Sequence, residues 1–211
     1  MMYQAEKIVE VINNINIKYF LPHIQRELVW NPKQIRKLFD SLMRDYPINT
    51  FLFWRLSNKK EEITKLEFIK DYIKNESKNK INNDIDKGEY FLVLDGQQRL
   101  QSFFISLKGT YNEKELFFNV LSKKVIEESD DEDEENDDEA SEIIYETDFF
   151  KKKEQYFLQE NDGHKKIWVK VKAFGLLDED AIFSYVDRLR EEFKKSILYE
   201  EAKLLEKNIK T

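Results

Sequence analysis

The sequence predicts an α+β fold, a mixed sheet with flanking helices and a long helical segment at the C-terminus. Three observations predict it. Residues 90–108 change period midway: Tyr90 to Leu94 is an unbroken apolar run of strand length, Asp95-Gly96 stops it, and Leu100, Phe103, Phe104 and Leu107 then recur at helical spacing. Residues 31–43 carry both the start signals and the apolar stripe of an amphipathic helix. Strand and helix patterns also follow one another without the regular alternation of a doubly wound sheet, and no internal repeat is present.

In chain order, Ala5, Ile8, Val9 and Ile12 mark a short helix over 4–14 that ends at Asn13-Asn14. Asn16 to Ile24 reads as extended, with Pro22 marking an edge or a strand terminus. After Gln25-Arg26-Glu27-Leu28-Val29-Trp30, Asn31 and Pro32 open a helix by their preference for the cap and first positions. Gln34 completes a capping box, and Ile35, Leu38, Phe39, Leu42 and Met43 form its buried stripe. That helix ends before Tyr46-Pro47. Thr50 to Leu56 is apolar on both alternating faces, as in an interior strand covered on two sides. Ile63, Leu66, Ile69 and Ile73 predict a helix over 61–74, and the polar stretch 75–87 reads as a loop. Strands are expected over 115–121, 143–150 and 155–159. A further strand over 166–172 turns Ile167, Val169 and Val171 inward, and Gly175 interrupts it. From Asp178 the chain reads as helical to its end, with Ile182, Tyr185, Val186, Leu189 and Phe193 on one face, continued by Ile197, Leu198, Leu204 and Leu205. This face exceeds what a small domain needs at its terminus, so a partner or a further domain is expected to cover it.

The turn at residues 95–99 is the most informative stretch. Asp95 is expected as N-cap with Gln98 completing a capping box, and Gly96 removes a side chain where the backbone turns. Arg99 is a cation in the first helical turn, where the macrodipole disfavours it by roughly 0.3–1 kcal/mol. Unbonded amides at a helix start, a glycine that permits close approach and an arginine fork together make a phosphate-sized anion site.

Composition bounds the function. The 211 residues, 41% hydrophobic and 14% aromatic, are enough to fill one core. With no cysteine, disulfides, thiolate zinc sites and a cysteine nucleophile are excluded. His23 and His164 lie far apart, without metal-ligand spacing, which argues against a zinc enzyme or a histidine-metal nuclease within this chain. No charged-then-apolar leader and no membrane-spanning apolar run is present, so the expectation is a cytoplasmic protein without membrane contact. The formal charge of −7 is misleading, because residues 127–139 hold 11 of the 42 acidic residues and the remainder sets 31 acids against 35 bases. The body is therefore mildly basic, compatible with nucleotide or nucleic acid. The acidic run, within an insertion at about 126–142, has the composition of disorder; it reads as a solvated insertion between strands or as a nucleic-acid mimic.

Two polar motifs need a common explanation: Gln25-Arg26 followed by Trp30, and Asp95-Gly96-Gln97-Gln98-Arg99. Each ends an extended segment just before a helix, where α/β-type folds gather ligand groups. On the residues alone, plain alternatives stand: Arg26 paired with a surface carboxylate, Trp30 in the core, Asp95 as a mere cap, Gln97 and Gln98 as surface amides. The full pattern runs through Pro22, Gln25, Arg26, Trp30, Asp40, Ser41, Tyr46, Pro47, Ile48 and Leu94 to Leu100. It resembles the N-terminal domain of GmrSD-type restriction systems, with a ParB/sulfiredoxin-like fold. The resemblance spans residues 5–175, including Trp168 to Val171 as a closing strand. Gln101 stands where that family often has threonine.

The resemblance implies a domain at 1–175 that binds and hydrolyses NTP, coupled to a nuclease that attacks modified phage DNA, and a helical segment at 176–211. The nuclease would be a partner subunit or a further C-terminal domain, and DNA would be met directly or through that partner. The residues and the resemblance together propose roles. Asp95 holds Mg²⁺ or orients the attacking water. Gln97 and Gln98 place that water or hold a phosphate oxygen. Arg99 and Arg26 neutralise charge, while Gln25 and Gly96 contribute to phosphate binding. A single carboxylate suffices for Mg²⁺ held mainly by phosphates and water. Two rival functions remain: a ParB-like module that binds nucleotide or DNA without turnover, and a nuclease in its own right. The latter would need Asp40, Glu27 or Asp45 brought to Asp95.

Overall fold

The computed structural model describes residues 5–24, 27–57, 63–82, 88–122, 145–161, 164–174 and 179–193. The chain begins with helix α1 (Ile8–Asn13), strand β1 (Tyr19–Pro22) and helix α2 (Pro32–Met43). The second helix starts as its sequence dictates. The Asn31 side chain accepts from Gln34 N at 3.1 Å, the Gln34 side chain accepts from Asn31 N at 3.0 Å, and Pro32 occupies the first turn.

Strands β2 (Leu52–Ser57), β3 (Lys65–Leu66), β4 (Asp71–Tyr72), β5 (Ile81–Asn82) and β6 (Glu89–Asp95) precede helix α3 (Gln97–Lys108). Five of the strands form one sheet in the order β2-β6-β1-β3-β5, with β6 parallel to β1 and the other pairs antiparallel. After α3 come β7 (Thr110–Tyr111), β8 (Glu115–Asn119), β9 (Thr147–Phe150), β10 (Tyr156–Asn161), β11 (His164–Lys170), α4 (Val171–Phe174) and α5 (Glu179–Phe193). A second, antiparallel sheet runs β10-β11-β8-β9, and β4 pairs with β7 in parallel. The mixed α+β architecture is as expected.

One core serves both sheets. Tyr19, Leu21 and Val93 of the first sheet, Leu116, Phe118 and Val169 of the second, and Leu100, Phe103 and Ile105 of α3 belong to the same buried cluster. Helix α3 is buried from Leu100 to Ser106 without a gap, as expected of a helix enclosed on all sides. In β11, Ile167 and Val169 face this core as predicted, and Val171 is buried where α4 begins. Trp168 is buried on the opposite face, where its ring centroid lies 4.8 Å from that of Phe150.

Three expectations change. Residues 63–74 form no helix: they lie extended and contain β3 and β4, while residues 61 and 62 lie outside the described residues. Distant amides satisfy this backbone instead. Asn16 accepts from Phe68 N at 2.7 Å and donates to Phe68 O at 2.9 Å, and Gln101 accepts from Ile69 N at 3.0 Å and donates to Ile69 O. These tertiary hydrogen bonds override a local helical spacing. The stretch 75–87, read as a loop, contains β5, which extends the sheet beyond β3. The strand expected in the interior, β2, is the outer edge of its sheet. Phe53 packs on the main core, but Leu52 and Trp54 are 37% and 44% exposed, so apolar character on two faces did not mean two covered faces.

Part of the apolar face of the C-terminal helix, expected to be covered by a partner or a further domain, is covered from within the chain. Tyr185, Val186, Leu189 and Phe193 are buried in the shared core. The continuation over 194–211 lies outside the described residues, as do residues 175–178 and the acidic run at 127–139. Among the described residues, no helix is long and apolar enough to cross a membrane.

Candidate functional site

Strand β6, flanked by β2 and β1, runs straight into α3 through one residue. Gly96 holds φ at +84°, and Leu100 N donates to its carbonyl at 2.9 Å. A β-carbon there would lie 2.3 Å from Phe51 Cδ1, so glycine is demanded by both backbone angle and space. The close approach expected at Gly96 is thus made by the ring of Phe51. That ring stacks on Phe53, with centroids 6.2 Å apart and planes 4° from parallel.

The capping expectation is corrected. Gly96 stands at the N-cap position and no side chain caps the helix. Asp95 is the last residue of β6, opposite Leu52 in the ladder, one place too early to cap. With the cap at Gly96, the third helical residue is Arg99 rather than Gln98, and the glutamine amide is released for another task. The first-turn amides of α3 therefore lack a side-chain acceptor, the condition in which a helix start binds anions.

Arg99 is turned inward, its side chain 13% exposed. It donates to Ile48 O, to Thr50 O at 2.9 Å and to Asp95 Oδ2 at 3.3 Å, and its guanidinium lies 4.7 Å from the centre of the Phe51 ring. Two carbonyls and one carboxylate thus meet the fork expected to face a phosphate. The cation still stands in the first turn, and neutral carbonyls do not cancel its charge. The Asp95 carboxylate is 69% exposed.

The neighbouring amides divide. Gln97 Nε2 folds back onto its own strand, donating to Val93 O at 2.6 Å and Leu94 O at 3.2 Å. Gln98 reaches across the sequence: its Oε1 accepts from Val29 N at 3.0 Å and its Nε2 donates to Glu27 O at 3.1 Å. This amide ties residues 27 and 29, which lie between Arg26 and Trp30 in sequence, to the start of α3. Gln25 and Arg26 lie outside the described residues, but Glu27, the next residue, is held against the start of α3. Trp30 is partly buried against the main core, in accord with its plain reading.

Among the described residues, the other carboxylates weighed for a metal form no cluster of three with Asp95. Asp40 is buried, accepts from Tyr145 N at 2.7 Å and pairs with Arg44 at 3.4 Å, while Glu27 and Asp45 are exposed. Among the described residues, no three histidine, aspartate or glutamate side chains are grouped to hold a metal ion. An exposed single carboxylate beside uncapped amides does fit Mg²⁺ that arrives on a nucleotide, whose phosphates supply most of the ligands.

Sequence reasoning missed Phe51 and the carbonyls of Ile48 and Thr50. Tyr46-Pro47-Ile48 was the available signal. Asp45 (φ 55°) and Asn49 (φ 71°), residue types that tolerate the left-handed region, flank this motif, and the carbonyls of Ile48 and Thr50 accept from Arg99. The sequence matches the family model of the GmrSD restriction endonuclease N-terminal domain over residues 8–209, further than the stretch that carries the motifs. No curated protein matches the chain.

Proposed function

We propose, from the premise that the chain belongs to the family of GmrSD restriction endonuclease N-terminal domains, that it is the NTP-binding and NTP-hydrolysing regulatory domain of a restriction system acting on modified DNA. One observation carries the reading: the Gln98 amide joins the segment after Gln25-Arg26 to the uncapped start of α3, 69 residues away. Triphosphate oxygens accept from the first-turn amides beyond Gly96, and Gln25 and Arg26, next in sequence to the joined segment, are the further phosphate ligands. Arg99 adds positive potential from behind. Asp95 binds the Mg²⁺ that the triphosphate carries or orients the attacking water, and Gln97 borders the same turn. The nuclease that cuts DNA is a partner subunit or a further domain, and the ParB/sulfiredoxin-like reading of the fold belongs to this proposal.

The test is titration calorimetry with GTP, ATP, CTP and UTP in the presence of Mg²⁺, followed by phosphate release from whichever binds. Affinity for at least one, with release, is expected; a wild-type protein that binds none overturns the reading. A second reading, nucleotide binding without turnover, is favoured by the engagement of Arg99 and Gln98 with backbone groups, which leaves fewer side chains for a transition state. Tight binding without phosphate release selects it.

A further inference from the structure

We infer that Gln98 is a positioning residue: it fixes the 27–29 segment, which follows Gln25-Arg26 in sequence, to the first turn of α3, and it acts on phosphate binding through that segment rather than by touching the ligand. The inference rests on the nucleotide reading above and differs from the role that the sequence suggests for this glutamine, which is to place a water or hold a phosphate oxygen.

The segment needs such a tie. Residues 27–30 belong to no helix or strand, and Val29 is 68% exposed. Their backbone is held by side chains: Gln98 takes Glu27 O and Val29 N, and the Tyr72 hydroxyl donates to Leu28 O at 3.3 Å. Leu28, 7% exposed, is the apolar anchor between the two Gln98 contacts. Accepting from residue 29 and donating to residue 27, one glutamine amide reproduces the two-point pairing that a neighbouring strand would give. Gln101, one residue past Leu100 on the same helix, makes the same kind of pair with Ile69. With its oxygen and one N–H both engaged on backbone, this amide is oriented by the segment it holds, and the experiment must separate that role from a contact made by its second N–H.

The experiment separates position from contact. The protein has three tryptophans, and Trp30 directly follows the clamped segment, whereas Trp54 and Trp168 lie on strands of the two sheets. Fluorotryptophan-labelled protein therefore gives a separate ¹⁹F signal for each, assigned by Trp→Phe substitution. Gln98→Ala, with the near-isosteric Gln98→Met as companion in case alanine impairs folding, is expected to move the Trp30 signal alone. It should also weaken the best-bound Mg²⁺-triphosphate about 10-fold, as for two lost hydrogen bonds. Combined with Asp95→Asn the losses should multiply, whereas combined with Arg26→Ala the double variant should bind no worse than Arg26→Ala alone. Weakened binding with an unmoved Trp30 signal, or a loss that multiplies with Arg26→Ala, would mean that Gln98 touches the ligand and overturns the inference. A moved Trp30 signal with unchanged affinity overturns it too, by detaching the segment from the site. Failure of the nucleotide reading itself is distinct, since it shows as a wild type that binds no triphosphate, and it removes the inference with it.

Discussion

The guanidinium of Arg99 lies 4.7 Å from the ring centre of Phe51 and donates to two carbonyls of the loop before that ring, Ile48 O and Thr50 O. The loop before β2 is thereby fastened to the first turn of α3 by one planar fork. Lysine keeps the charge but presents a point donor without the fork, so it cannot bridge both carbonyls and stack on the ring. Arg99→Lys is expected to destabilise the protein by about 1 kcal/mol, the net worth of hydrogen bonds lost at carbonyls that water can partly reach. Urea denaturation checks it. A change below a few tenths of a kcal/mol would show that the fork contributes nothing to holding the loop.

Gly96 admits no side chain. At φ +84° an L-residue is strained, and a methyl group there would meet Phe51 at 2.3 Å. The ring must shift and take the Arg99 contact with it. Gly96→Ala is expected to cost about 2–4 kcal/mol, from backbone strain and overpacking together. Gly88 is the control: a β-carbon added there would meet no atom within 4 Å, and its φ is not strained, so Gly88→Ala should leave the urea midpoint unchanged.

The parts of the fold that were legible in the sequence are those decided locally. The capping box of α2 needs only Asn31, Pro32 and Gln34, and the change of period at Asp95-Gly96 needs only the residues on either side. The misread parts were decided across the chain. No window around Ile69 contains Gln101, so its helical spacing could not reveal that its backbone is bonded to that amide. Side-chain chemistry favours aspartate as a cap, which points to Asp95. The left-handed Gly96 takes the position instead, a choice tied to Phe51, 45 residues earlier. For the site, the motif residues were visible and the tie between Gln98 and residues 27 and 29 was not. Gln98 reads as a surface amide until Glu27 and Val29 are placed beside it.

Asp95 supplies a prediction about the metal. Its carboxylate is 69% exposed and, among the described residues, held by the 3.3 Å contact with Arg99, so releasing it toward a cation costs little. Asp95→Asn should leave the fold intact, with a stability within about 0.5 kcal/mol of the parent by urea denaturation. Titrating Mg²⁺ at fixed triphosphate should then show that the enhancement of binding by Mg²⁺, present in the wild type, is lost. Retention of that enhancement in the variant would move the metal away from Asp95.

Acid stability should depend on Glu115 at the start of β8. Burial pushes its pKa up, but Lys170 Nζ at 2.6 Å and Lys172 Nζ at 2.8 Å outweigh this and leave the carboxyl below its ordinary 4.5. The sign follows from that direction. Between the lowered folded value and 4.5 the unfolded chain binds the proton that the folded one refuses. The stabilisation is thus fully present above the ordinary value and is lost as pH falls through the folded one. Glu115→Gln removes this pH dependence and strips Lys170, 8% exposed, of its carboxylate. The Lys152 and Lys153 carbonyls at 3.3 and 3.4 Å and the Phe117 ring at 5.5 Å remain around that ammonium and soften the loss. The variant should be weaker at neutral pH by about 3 kcal/mol, the lower end of what breaking a buried pair costs. Denaturation midpoints of the two proteins, measured from pH 7 downward, should converge below pH 4.5. Parallel curves throughout would show that Glu115 is not the group that titrates.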